Sequence, residues 1–265
     1  MPEGVEVKIS AELIRPLVIN KTIKRANTTL NSRYGKAYED SDFEGLIVYD
    51  VHVKGKFMYW TLSTGNYMLC TFGMSGQWSP TEGKHPCFFV EFTDGTSVYF
   101  NDPRHFGTIQ FTNSKKRLDK KLSELGWDPL TDDPAIWQKF LSAQIQKSGK
   151  PIGELLMDQK LFAGVGNYIR AEGLYAAKIS PWRAGNKLSV QEISALCNSL
   201  VSVMKESYSF QGATIHTYKD SYGNEGRYSS CFKVYGQKKD PLGNDIIKET
   251  TPDNRSIHWC PTIQM

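Results

Sequence analysis

The second residue of the chain brings the first chemistry. Pro2 follows Met1, a methionine of the kind usually trimmed before a small residue. Trimming leaves a secondary amine at the chain end. An α-amino group titrates near ~7.7–8.0, far below a lysine, so a useful fraction is unprotonated at neutral pH. Attack by such an amine on a sugar aldehyde carbon gives an iminium, cationic without any added proton. That cation is an electron sink, the logic of Schiff-base catalysis. For Pro2 alone, a proline that merely opens a helix is the plainer reading. Glu3 and Glu6 follow three residues apart. Both sit where a helix dipole favours negative charge, which suffices to explain them on an anonymous helix. Beside a nucleophilic amine, a carboxylate becomes a candidate proton shuttle.

Other side chains suit a phosphate or a base stack. Lys56, in Lys54-Gly55-Lys56, falls on a hairpin rim from which it could reach a phosphate or simply face water. Two tight turns, Phe72-Gly73-Met74-Ser75-Gly76 and Asn101-Asp102-Pro103-Arg104-His105-Phe106-Gly107, present Met74, Arg104 and Phe106. Loop-borne apolar residues and an arginine are the tools that wedge stacked bases apart. Methionine and phenylalanine are far commoner as core residues, so each is weak alone. Ala163-Gly164-Val165-Gly166-Asn167-Tyr168-Ile169 is a glycine-rich turn opening a helix, where backbone N–H groups could cradle a phosphate. It matches neither the dinucleotide nor the Walker pattern.

Periodicity indicates the elements that must position these residues. Val5, Ile9, Leu13 and Leu17 recur every four residues and predict an amphipathic helix over Glu3–Ile19, bent or ended by Pro16. Runs rich in Val, Ile, Thr and aromatics predict strands at Thr22–Thr29, Ile47–Lys54, Phe57–Leu62, Tyr67–Thr71, Cys87–Phe92, Ser97–Phe100 and Thr108–Phe111. Short strands with tight turns read as an antiparallel sandwich. Asn113–Asp133 is charged and turn-rich and reads as a linker. Helical patterns follow at Pro134–Ile145, with Ile136, Phe140 and Leu141 on one side, then at Pro151–Gln159, Asn167–Ala177 and Ser189–Tyr208. Ser189 and Glu192 make a capping box. The tail carries hairpin arms at Phe232–Gln237 and Ile246–Glu249. The fold class is α+β, divided as 1–115 sandwich, 116–131 linker, 132–228 helical domain and 229–265 hairpin appendage.

Composition narrows the setting. With 40% hydrophobic and 23% charged residues, the chain is not wholesale disordered. The surplus of 32 basic over 28 acidic residues permits a polyanionic partner without demanding one. Five cysteines, an odd number with no CxxC, argue for reduced thiols and an intracellular setting rather than a disulfide scaffold. No basic n-region precedes an apolar run at the N-terminus, and no run is long enough to span a membrane.

Taken in order, Pro2-Glu3-Gly4-Val5-Glu6-Val7, the Lys56 strand, Gly73-Met74-Ser75-Gly76, Asp102-Pro103-Arg104-His105-Phe106-Gly107 and Gly164-Val165-Gly166-Asn167-Tyr168-Ile169-Arg170-Ala171-Glu172 resemble the Fpg/Nei family, the formamidopyrimidine-DNA glycosylases and endonuclease VIII. The resemblance runs the length of the chain. It implies base-excision repair on damaged DNA, by a monomer, with the base flipped out of the duplex. Pro2 would be the nucleophile, Glu3 the acid/base partner and Lys56 a phosphate holder, with Glu6 in support. Met74, Arg104 and Phe106 match the void-filling residues. Asn167, Arg255 and Tyr235 match phosphate-contacting positions of the helix–two-turn–helix and finger. Gly212–Tyr228 resembles the lesion-capping loop.

The tail departs from the pattern. The family's finger holds zinc with four cysteines. Here the first pair, expected near Leu242-Gly243-Asn244-Asp245, is absent, and the second would be Cys260 and Ile263. Tetrahedral structural zinc needs four ligands, so the expectation is a zincless finger with no cofactor. Thr71 and Gly153 stand where many bacterial members have histidine and lysine. Pro2-Glu3-Gly4 and the zincless finger lean towards Nei-like members, hence oxidised pyrimidines and ring-opened or further-oxidised purines. The full void-filling set leans towards Fpg-type members and 8-oxoguanine. A non-catalytic nucleic-acid-binding protein and a tautomerase-like small-molecule enzyme are the competing classes. Intact Pro2, Glu3 and Lys56 argue against the former, and the chain length against the latter.

Overall fold

The computed structural model describes residues 2–29, 43–214 and 225–265, with backbone alone at 135–139. The chain divides into two compact units, Met1–Ser123 with Gln211–Arg227, and Glu124–Phe210 with Tyr228–Met265.

The first unit opens with helix α1 (Gly4–Val18). Two four-stranded antiparallel sheets follow. One has the order β2 (Val48–Lys54), β3 (Phe57–Leu62), β4 (Tyr67–Thr71), β8 (Thr108–Thr112). The other has the order β1 (Ile23–Thr28), β6 (Pro86–Phe92), β7 (Ser97–Asn101), β5 (Gln77–Ser79). Alternating side chains of both sheets make one core, centred on Trp60 and Trp78, whose rings lie 5.1 Å apart. Burying each such aromatic contributes about 2–3 kcal/mol.

Helix α1 reaches that core through Val7, Ala11, Ile14 and Val18, with Leu17 packed against it; Val5 and Ile9 of the expected four-residue repeat are buried too, but outside that core cluster. A strict spacing of four advances about 40° per step around a 3.6-residue helix, so the repeat winds across the helix surface, whereas spacings of four and three stay on one face. Pro16 lies inside the last turn without ending the helix. Strand β5 is an addition to the seven expected. The expected linker contains helix α2 (Lys115–Ser123), in which Leu118 is the buried residue.

The second unit contains α3 (Pro134–Gln146), α4 (Ile152–Leu155), α5 (Asn167–Ala176), α6 (Val190–Ser209) and a hairpin of β9 (Ile247–Thr250) and β10 (Ser256–Trp259). In α3, Leu141 and Ile145 are buried, but Phe140 is 62% exposed and off the core side expected for it; the Ile136 side chain lies outside the described residues. Helix α4 is shorter than expected because the Gln159 side chain takes over the following turn. Its Nε2 donates to the Met157 and Val165 carbonyls, and its Oε1 accepts from Gly164 N–H. Ser189 and Glu192 form the expected capping box of α6.

The expected arm Phe232–Gln237 is not a strand. Its backbone N–H groups at Lys233, Val234 and Tyr235 instead donate to the buried Glu172 carboxylate at 3.0, 3.0 and 2.8 Å. Burial pushes the Glu172 carboxyl above its usual range, and these three donors work against that shift.

Candidate functional site

In the first unit, Pro2 is buried immediately before α1. Glu3 is the helix N-cap and makes a reciprocal capping box with Glu6. Both carboxylates are buried, Glu3 at 2% and Glu6 at 1% exposure. Glu6 Oε2 accepts the Glu3 N–H at 2.8 Å, and its Oε1 accepts the Ala213 N–H at 2.9 Å. Glu6 thus binds the chain start to the segment after α6. Gly212 lets that segment come close: its φ is +79°, and a Cβ there would lie 2.9 Å from Glu6 Oε1. The stem continues as the bridge Ala213–Arg227. Most of the loop expected over Gly212–Tyr228 lies outside the described residues.

Lys56 occupies the second position of the two-residue turn joining β2 and β3, where Lys54 pairs with Phe57. Gly55 takes the first position with φ +56°, the place such hairpin turns reserve for glycine. The turn leaves Lys56 half-buried. The Thr71 hydroxyl is hydrogen-bonded to the Thr108 hydroxyl at 2.7 Å.

The two glycine-bounded turns meet. Arg104 Nη1 donates to Met74 Sδ at 3.4 Å. Phe106 lies against Gly73, where a Cβ would fall 2.5 Å from the Phe106 carbonyl carbon. Met74 is 42% exposed and Phe106 57%, so neither is a core side chain. The structure therefore gathers Met74, Arg104 and Phe106 into one projecting group.

In the second unit, Asn167 begins α5 after Gly166. The phosphate cradle expected of this turn is partly used internally, since the Gly164 N–H already donates to Gln159. Arg170, to which the sequence motif gave no role, is fully buried one turn later. Its Nη2 donates to Asn167 Oδ1 at 3.2 Å and to the Ser256 carbonyl at 3.0 Å, and its Nη1 donates to the Gly153 carbonyl at 3.0 Å. One guanidinium thus ties Asn167 to the strand that starts directly after Arg255. Asn167 Oδ1 is engaged, which leaves the amide nitrogen as its donor end for an anion. Arg255 is 44% exposed at the side chain, in the hairpin loop, 3.5 Å from Asp253. The Thr251 hydroxyl and N–H hold the Arg255 carbonyl at 2.7 and 2.9 Å. Tyr235 packs edge-on against Phe232 and His258. No local signal singles out Arg170 and Glu172: two residues apart, they point to opposite sides of α5, which is buried throughout from Tyr168 to Leu174.

Around Cys260 the residues do not fit a tetrahedral zinc site. The thiol lies 3.7 Å from Asp240 Oδ2, and that carboxylate also accepts from Leu242 N–H, Asn244 N–H, Asn244 Nδ2 and the Tyr175 hydroxyl at 2.8–3.1 Å. Among the described residues there is no group of three or more His, Cys, Asp or Glu able to hold a metal.

This combination, a helix-led sandwich followed by a helical unit with a terminal hairpin, is the fold of MutM/Fpg proteins. Family models match in three stretches: the formamidopyrimidine-DNA glycosylase N-terminal domain over residues 1–109, the H2TH domain over 125–219 and the C-terminal domain over 229–265. A formamidopyrimidine-DNA glycosylase from Listeria innocua is 31% identical over 275 residues, covering 100% of both chains. One from Wolbachia pipientis wMel is 28% identical over 274 residues with the same coverage. The crystal structure of MutM (Fpg) from Thermus thermophilus has a TM-score of 0.89 at 28% identity, covering 99% of this chain and 98% of that one. A Lactococcus lactis Fpg mutant complexed with Fapy-dG containing DNA shares the fold, with a TM-score of 0.85 at 23% identity and full coverage. The chain belongs to the formamidopyrimidine-DNA glycosylase family. It is a DNA glycosylase with AP lyase activity, working in base-excision repair.

Proposed function

We propose that the chain excises oxidised bases from damaged DNA by covalent catalysis through Pro2, after loss of Met1. The Pro2 nitrogen attacks the anomeric carbon, the glycosidic bond breaks, and the base leaves with a proton. Ring opening gives the iminium. Loss of a proton from the adjacent sugar carbon then expels the 3′ phosphate, a second elimination expels the 5′ phosphate, and water releases the sugar fragment. Glu3 is the acid/base group and Lys56 holds a phosphate. Glu6, with both oxygens engaged by backbone N–H groups, positions the Pro2–Glu3 turn and does not itself exchange protons. Met74, Arg104 and Phe106 fill the void left by the flipped base, with Arg104 towards the orphaned partner. Asn167, Arg255 and Tyr235 grip DNA phosphates, and the tail works without zinc.

The observation that carries this reading is Pro2 buried at the head of α1 directly beside two buried, geometrically fixed carboxylates. Borohydride trapping on abasic DNA tests it. The protein should form a covalent adduct that Pro2→Thr abolishes while circular dichroism shows the fold intact. Efficient trapping by Pro2→Thr would assign the nucleophile elsewhere.

The substrate class we infer is oxidised pyrimidines with ring-opened and further-oxidised purines. A preference for formamidopyrimidine and 8-oxoguanine is a second reading, favoured by the names of the relatives. A cleavage panel of these lesions on duplex, bubble and single-stranded DNA separates the two.

A further inference from the structure

A buried carboxylate that the mechanism does not use joins the two exposed turns. Asp102 has no exposed surface. Its Oδ1 accepts the Ser75 hydroxyl at 2.5 Å and the Arg104 N–H at 3.2 Å, and its Oδ2 accepts the Gly107 N–H at 2.7 Å. Ser75 Oγ in turn accepts the same Arg104 N–H at 3.2 Å. Serine on one turn and aspartate on the other therefore hold the backbone on both sides of residues 104–106. An ionised carboxylate is suited to this, because every group aimed at it is a donor.

The surroundings leave this pair little slack. The Phe100 ring lies beneath both turns, and a Cβ at Gly76 or Gly107 would approach it to 2.5 or 2.7 Å. His105 is held at φ +55°, a left-handed conformation that a non-glycine residue keeps only when its neighbours fix it. The side chains above are the opposite case. Met74 and Phe106 are exposed, so apart from the Arg104–Met74 contact the backbone beneath them fixes where they point.

We propose that Ser75 and Asp102 are positioning residues that lock the Met74–Arg104–Phe106 group in the shape that enters the base stack. The inference rests on reading those three side chains as the wedge. A wedge that yields on contact cannot open a duplex, whereas an abasic site in a single strand has no opposing stack to open. The lock therefore matters for one substrate and not for the other.

The test compares Ser75→Ala, Ser75→Thr and Asp102→Asn in single-turnover cleavage. The substrates are lesion-bearing duplex and a single strand with a preformed abasic site. Ser75→Ala should slow duplex cleavage about tenfold, the worth of one charge-assisted hydrogen bond, and change the single-strand rate by less than about twofold. Ser75→Thr, which keeps the hydroxyl, should restore duplex cleavage to within about threefold of wild type. A fluorescent purine analogue opposite the lesion should brighten less with Ser75→Ala than with wild type. Asp102→Asn places N–H2 against a backbone N–H and should match or exceed Ser75→Ala; should it not fold, the serine pair carries the test. Equal losses on both substrates, or no loss on duplex, overturn the lock. If Met74→Ala and Phe106→Ala also leave duplex cleavage unchanged, the wedge reading itself fails, which is a distinct result.

Discussion

Replacing Arg170 with methionine should damage both stability and DNA binding, in amounts that follow from its contacts. The guanidinium is fully buried and donates to the Gly153 carbonyl, Asn167 Oδ1 and the Ser256 carbonyl. Arg170→Met keeps most of the side-chain volume but leaves three acceptors against a thioether. Each stranded acceptor costs about 1–3 kcal/mol. Relief from burying a charge returns part of the sum, so the net loss should be about 3–5 kcal/mol, as for other broken buried charge networks. Arg170→Lys should lose about 2 kcal/mol, because one ammonium cannot span three acceptors spaced for a planar fork. Urea denaturation followed by circular dichroism measures the loss, and hydrogen exchange at 256–259 locates it in the hairpin. The binding effect is specific. Releasing Ser256 frees Arg255 next to it, so the slope of log affinity against log salt should fall by about 0.9, one phosphate. A stability loss below about 1 kcal/mol, or an unchanged salt slope, would refute the reasoning.

Glu6→Gln replaces one of two acceptor oxygens by a donor, leaving either the Glu3 or the Ala213 N–H unmatched; it should cost about 1–3 kcal/mol in urea denaturation and slow borohydride trapping. Burial works to raise the Asp240 carboxyl, but hydrogen bonds from Asn244, Tyr175 and Leu242 outweigh it and bring it down to about 2. A folded value below the ordinary 3.8 means the contribution is complete above about 3.8 and is lost as pH falls through about 2. Asp240→Asn should therefore remove part of the acid sensitivity seen by amide exchange in the tail over that window. Metal analysis of purified protein should find no stoichiometric zinc, and a strong chelator should leave the melting temperature unchanged; tightly bound zinc at one per chain refutes the zincless reading.

Local signals were strong where one physical cause dominated. The strands from Phe57 to Thr71 were legible because β-branched and aromatic residues alternate there between glycine turns. Strand β5 was not, since three residues are too few to show an alternation. Helix α2 was hidden because its residues are charged nearly all round, with Leu118 alone buried, so no apolar stripe marks it. Pro2, Glu3, Lys56, Met74, Arg104 and Phe106 could be picked out by type and setting. The buried groups that fix the surrounding backbone could not. Arg170 and Glu172 act through backbone atoms distant in sequence, and Asp102 joins its own turn to the hydroxyl of Ser75 on another; nothing local in a sequence records which distant group a buried charge will meet.

On the zincless reading, hydrogen bonds and packing must hold the tail in place of a metal. Structural zinc contributes about 10–16 kcal/mol in isolated finger peptides, and hydrogen bonds around a single carboxylate do not reach that. Asp240 organises the turn at Leu242–Asn244, where the family pattern expects the first cysteine pair, but it does not act alone. Glu249 accepts both the Trp182 and the Trp259 indole N–H, at 2.7 and 2.6 Å. Gln264 accepts from Cys260 N–H and donates to the Ile179 carbonyl. Arg170 and Glu172 bind Ser256 and residues 233–235 from the side of α5. Trp182, Ile179, Arg170 and Glu172 all lie on the helical part of the same unit. A zinc finger carries its stability in its own metal; on the zincless reading this hairpin draws it from the helices to which it is docked. The position of Arg255 is thereby tied to that of Asn167 through one side chain, Arg170, and loosening the helical unit must loosen both.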